Sequence, residues 1–201
     1  ANNDLTDEEK TAAKEDAKAK ADATKQAIDN ATTNDAVTQA KNAGATSVDS
    51  VNPMPEAKLA AKKTIDDALK AKNDAIDANN DLTDEEKTAA KADAKAKADA
   101  AKQAIDNATT NDGVTQAKND GATSVDSVTP TAQAKPAAKK AIDDALKAKN
   151  DVIDANNDLT DEEKTAAKAD AKAKADAAKQ AIDNATTNDA VTQAKNAGAT
   201  S

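Results

Sequence analysis

The chain of 201 residues has no cysteine, no histidine and no aromatic residue, and its one sulfur atom belongs to Met54. Without thiols or imidazoles there is no thiolate nucleophile, no imidazole base and no His/Cys site for zinc or iron. Carboxylates, lysines and hydroxyls are the only reactive groups left. Arginine is absent too: the 28 basic residues are all lysine, set against 37 acidic ones for a net charge of −9. The lysines alternate with Asp and Glu, so no basic stripe exists to neutralise phosphates or anionic lipid, and nucleic acid is not an expected partner. No apolar run approaches the roughly 20 residues that a membrane helix needs, and the first residues lack the charged-then-apolar pattern of an export signal. The lack of cysteine fits a reducing cytosol and equally a secreted bacterial protein that avoids thiols. Leu, Ile and Val are scarce and Phe is missing, a composition that by itself would suggest a solvated acidic coil.

The order of the residues argues against a coil. The stretch NNDLTDEEKTAAK occurs at residues 2–14, 79–91 and 156–168. Its leucine falls at Leu5, Leu82 and Leu159, so the period is 82 − 5 = 159 − 82 = 77 residues. Residues 5–81 and 82–158 differ at a handful of positions, and nearly half of the changes lie where NPMPEAKL (52–59) is replaced by TPTAQAKP (129–136). Near-identical copies at a fixed period of this length indicate stacked supersecondary units.

Each copy carries signals for three helices. In LTDEEK, Thr83 can cap a helix and Glu86, three residues on, completes a capping box, with Asp84 and Glu85 in a first turn that favours anions. The helix then runs through Ala90, Ala94, Ala98, Ala101, Ile105 and Ala108, an apolar stripe of mostly small residues. A third helix is predicted after Thr109 or Thr110, with Val114, Ala117, Gly121, Val125 and Val128 on one face. Gly121 in mid-pattern costs a helix about 1 kcal/mol, and it would let a neighbouring helix approach closely. The remaining helix has Ala61, Ile65, Ala68, Leu69, Lys72 and Ile76 on its face, with Asp66 and Lys70 at ion-pair spacing. Pro136 replaces Leu59 in the next copy, and proline is tolerated at the start of a helix, so this helix should begin near Pro136 and Leu59 should not be a core anchor.

The prolines and the clustered differences mark 52–59 and 129–136 as linkers, and the unchanged IDANNDLTDEE as a tight turn within a unit. The expected organisation is a partial repeat at 1–52, holding the second and third helices, a complete repeat at 53–129 and a nearly complete one at 130–201. The expected fold is all-α: tandem three-helix bundles stacked end to end into an elongated rod. Three helices place the start and finish of each unit at opposite ends, so tandem units must extend.

The segment AAKKTIDDALKAKNDAIDA followed by NNDLTDEEKTAAKADAKAKADAAKQAIDNATTNDGVTQAKNDG resembles the domain of unknown function 1542, found in tandem in cell-wall-anchored surface proteins of Gram-positive bacteria. The likeness covers essentially the whole chain, with LTDEEK and AIDNATTNDGV its most specific parts. It implies an extracellular, cell-wall location, and repeats that act largely as a stalk in proteins associated with adhesion, aggregation or biofilm formation. It supplies no catalytic residues. The residues themselves carry no export signal or sorting motif, so the surface location rests on the resemblance.

Asp77, Asn79 and Asp81 alternate like the first ligands of a calcium loop, but Leu82 stands where the glycine belongs and Thr88 where the bidentate glutamate belongs. Asp66 with Asp67, and Glu85 with Glu86, are paired carboxylates whose expected place is a solvated helix face, as for the Lys/Asp run KADAKAKADAAK. Asn30, Asn107 and Asn184 head Asn-Ala-Thr glycosylation patterns. The expectation is therefore no catalytic, cofactor-binding or metal site, no cofactor, no enzymatic activity and no membrane insertion. Partners are neighbouring repeats in the same chain, and the chain is expected to be a monomer. Two alternatives to the stalk stay open: a weak, multivalent host-protein-binding module, against which stands the lack of Trp, Tyr and Arg anchors, and a disordered acidic spacer.

Overall fold

The computed structural model describes residues 2–199. Among these every regular element is a helix: α1 (Asp7–Asp29), α2 (Asn34–Asp49), α3 (Glu56–Asp77), α4 (Asp84–Asn107), α5 (Asn111–Asp126), α6 (Ala134–Ala155), α7 (Asp161–Asn184) and α8 (Asn188–Ala199). The caps expected from the sequence are formed. Thr6, Thr83 and Thr160 each accept the backbone N–H of the glutamate three residues on, and that glutamate accepts the threonine N–H in return. Thr110 caps α5 by accepting from the N–H of Gly113 at 3.1 Å. α6 begins at Ala134, two residues before the start expected at Pro136. Proline fits there because the N–H groups of a first turn have no intrahelical acceptor to lose.

Contacts divide the chain into two compact units, residues 1–69 with 96–125 and residues 70–95 with 126–201. The division falls in the middle of α3 and α4, so each compact unit is offset from the sequence repeat. In the first, Ala61 and Ile65 of α3, Ala98, Ala101 and Ile105 of α4, and Val114 and Val125 of α5 form one core. In the second, α6, α7 and α8 each pack on the other two, around Ala138, Ile142, Ala175, Ala178, Ile182 and Val191. Leu59 is exposed, as expected of a position that also accepts proline.

Alanine and glycine set how near the helices come. A Cβ added to Gly121 would lie 2.3 Å from the Ala101 Cβ and 3.0 Å from Ile65 Cδ1; at Gly198 it would lie 2.2 Å from the Ala178 Cβ. Those helices touch backbone to methyl, which increases dispersion contact where large side chains are few. Between the first and second helices of a repeat, ion pairs form a ladder: Lys62–Asp106 and Lys102–Asp66 in the first unit, Lys139–Asp183, Lys179–Asp143 and Lys168–Asp154 in the second. The expected pairing of Asp66 with Lys70 is not formed. Lys102 reaches Asp66 from the neighbouring helix, and Lys70 turns to Asp74 at 2.6 Å.

Candidate functional site: the joint between repeats

Among the described residues no group of three or more carboxylates could hold a metal ion, and no helix is long and apolar enough to cross a membrane. The calcium-like loop is otherwise engaged. Asp77 pairs with Lys91 at 2.7 Å, and the Asn79 side chain accepts the N–H of Asp81. An apolar cleft of about 540 Å³ lies between α6 and α7, beside Gly198 and over Ile142 and Leu146. The corresponding Ile65 in the preceding repeat shares a core with Val125.

The most elaborate polar arrangement forms where one repeat meets the next. In the first unit, the turn before α1 meets the start of α3 and the α4–α5 junction, all in the following repeat. The Asp7 N–H donates to the Thr109 carbonyl at 2.7 Å, and the Asn111 N–H donates to Glu8 Oε2 at 3.0 Å. Glu9 serves two helices at once: Oε2 accepts from the Thr6 N–H in its own capping box at 2.9 Å, and Oε1 accepts from the Ala57 N–H in the first turn of α3 at 3.0 Å. From the other side, Lys58 Nζ donates to the Asn3 carbonyl at 2.9 Å and to the Asp106 carbonyl at 2.7 Å.

The second unit repeats the joint one period later. The Asp84 N–H donates to the Thr186 carbonyl, and the Asn188 N–H donates to Glu85 Oε2. Glu86 Oε1 accepts from both Gln133 and Ala134 N–H, at 2.8 and 3.0 Å. Lys135 Nζ reaches the Asn80 and Asp183 carbonyls at 2.7 and 2.8 Å. Thr83 adds a bond, its hydroxyl donating to Asn188 Oδ1 at 2.8 Å. Several of these bonds answer a local need, because the first N–H groups and last carbonyls of a helix have no intrahelical partner and a negative charge at a helix N-terminus is favoured by the backbone dipoles.

The third copy shows what the joint contributes, since nothing among the described residues covers it. Leu5 and Leu82 are 4% and 2% exposed and Thr6 and Thr83 fully buried, whereas Leu159 is half-buried and Thr160 exposed. The carboxylates record the same contrast. Burial works against ionisation of Glu9 and Glu86, but the N–H groups of Thr6 and Ala57, and of Thr83, Ala134 and Gln133, outweigh it and hold both below the ordinary glutamate range. Glu85 is lowered chiefly by the Asn188 N–H, while Glu163 is lowered by Thr160 of its own cap alone.

Glu85 lies exposed, as the sequence suggested, and Glu86 is half-buried. Both also accept backbone N–H groups at the joint. The turn expected to be internal to a unit is also a docking surface, and the linker serves to bring the next helix onto it. Leu82 and Lys135 were missed as well. A signal for Lys135 exists: Ala57 and Lys58 reappear as Ala134 and Lys135 inside the segment where the copies otherwise diverge most.

The Domain of Unknown Function (DUF1542) model matches three times, at residues 1–56, 57–133 and 134–201. The chain belongs to the DUF1542 family. Its matched repeats start at Ala57 and Ala134, the residues whose N–H groups meet Glu9 and Glu86. DUF1542 relatives include the extracellular matrix-binding protein EbhA of Staphylococcus aureus strain Newman and the extracellular matrix-binding protein ebh of strains NCTC 8325 and COL. Each is 35% identical over 192 residues, 94% of this chain. The chain spans 6% of the first and 2% of the other two. No solved structure matches.

Proposed function

We propose that this chain is a stretch of stalk: structural repeats of a bacterial surface protein that hold an adhesive region away from the cell wall, with a reach set by the number of repeats. The supporting observation is the joint. The same backbone and carboxylate bonds recur after 77 residues, with equivalent atoms in equivalent roles. A spacer needs every junction to be made alike, and a hinge would need free linker at that place. The repeats lie at 53–129 and 130–201, with a partial one at 1–52, and the stalk is monomeric and without catalytic function. Small-angle X-ray scattering in physiological salt tests this reading. A thin particle on the order of 100 Å long supports it. The scattering of a compact globule or an expanded coil would refute it.

A second reading takes its support from the name of the relatives. If matrix binding resides in the repeats themselves, many weak contacts by many copies would give avidity without a single strong site. Immobilised matrix proteins distinguish the two. Saturable binding of this chain that survives physiological salt, and is lost on changing one helix face, favours the binding module over the stalk.

A further inference from the structure

We infer that Lys58 and Lys135 are the residues that set the angle between consecutive repeats, a role distinct from holding each repeat folded. This rests on the stalk reading and concerns what fixes the joint's geometry.

Both side chains are almost completely buried, at 4% and 5% exposure, in a protein whose other lysines are largely at the surface. Among the described residues neither has a carboxylate at ion-pair distance. Their charge is met instead by carbonyl oxygens, Asn3 and Asp106 for Lys58, Asn80 and Asp183 for Lys135. A buried ammonium without a counter-ion is a poor way to gain stability, because desolvation opposes it and an apolar side chain of the same length would pack without that cost. Its advantage is directional. Each ammonium joins three parts: the helix that carries it, the last turn of the second helix in its own repeat, where carbonyls lack partners and the dipole is negative, and the turn of the preceding repeat. Rotation of one repeat against the other by a fraction of a turn would carry the Asn80 carbonyl out of reach of Lys135, whereas the burial of Leu82 has no such directional requirement. Buried polar groups that select one arrangement among several apolar ones act in this way in helical assemblies.

The absence of native cysteine makes a direct test possible. In the full chain, Ala89→Cys and Ala177→Cys place spin labels at exposed positions on α4 and α7, on either side of the second joint. Pulsed electron–electron resonance then reads the distance distribution with Lys135 intact, in Lys135→Met, which keeps the apolar stem, and in Val191→Ala, which weakens the core of the same repeat. The expected result is one narrow distance in the parent and in Val191→Ala, and loss of that single distance in Lys135→Met at temperatures where circular dichroism still shows a fully helical chain. A narrow distribution in Lys135→Met would overturn the inference and leave the stalk standing, as would equal broadening in both variants. A broad distribution in the parent would remove the defined joint, and the stalk reading with it.

Discussion

Alanine at position 121 tests the close approach of α5 to α4. A methyl group there would sit 2.3 Å from the Ala101 Cβ, whereas ordinary contacts begin near 3.4 Å. Neither methyl can rotate aside, so relief comes only by parting two helix backbones by about 1 Å through the middle of a core with few large side chains. Overpacking of this kind costs about 1–3 kcal/mol, and the rigidity of both partners places it at the upper end. Replacing a helical glycine by alanine returns about 1 kcal/mol of propensity, so the net loss should be about 1–2 kcal/mol. For a chain of this size that is a fall in melting temperature of about 2–8 °C, read by circular dichroism. Gly113→Ala is the control. Its added methyl meets nothing closer than the Thr110 hydroxyl at 3.2 Å, and the other two copies carry Ala36 and Ala190 at this place. That variant should be stabilised by several tenths of a kcal/mol, up to about 1. The pair Ala101→Gly with Gly121→Ala should recover part of the loss by moving the methyl to the other helix. Equal melting of Gly121→Ala and the parent, or stabilisation, would refute the packing argument.

Acid should loosen the joints before it melts the helices. The carboxyls of Glu9, Glu85 and Glu86 are held below their ordinary range in the folded chain, so their contribution is present above the unfolded-state pKa and is lost as pH falls through the folded-state values. Melting temperature should thus fall with pH below the ordinary glutamate range, and less steeply in Glu86→Gln; parallel pH profiles for the two chains would contradict the assignment. Thr83→Ala removes both a helix cap and the bond to Asn188, and should cost about 1–2 kcal/mol, more than the cap-only change Thr160→Ala at about 0.5–1 in urea unfolding. Asp143→Asn breaks an ion pair with Lys179 whose carboxylate is largely exposed, and should change stability by less than about 1 kcal/mol, with little difference at high salt.

What the sequence made legible follows from what is local. A cap is decided within four residues, so Thr83 with Glu86 and Thr110 were readable, as was the exposure of Leu59 from its exchange with proline. Gly121 was readable for a related reason: a glycine inside a helical pattern is costly unless another helix needs the space. The joint was not readable, because its partners lie 47 to 105 positions apart and its polar groups resemble those of the solvated faces around them. Glu86 looks like half of a capping box whether or not its second oxygen is used. Lys135 looks like any other lysine until burial is known. The Asp66 pairing failed because spacing along one helix does not reveal that Lys102, on the next helix, is a better-placed competitor.

Amide hydrogen exchange, resolved residue by residue by NMR, tests the central claim that consecutive repeats make the same ordered joint. The N–H groups of Asp7 and Asp84 donate to carbonyls of the following repeat, while the corresponding Asp161 N–H has no partner among the described residues. The three residues have the same local sequence, so their intrinsic exchange rates are alike. The account predicts slow exchange at Asp7 and Asp84, with Ala57, Asn111, Ala134 and Asn188 protected beside them, and fast exchange at Asp161. Equal and fast exchange at all three aspartates would mean that the repeats are strung together without a fixed joint.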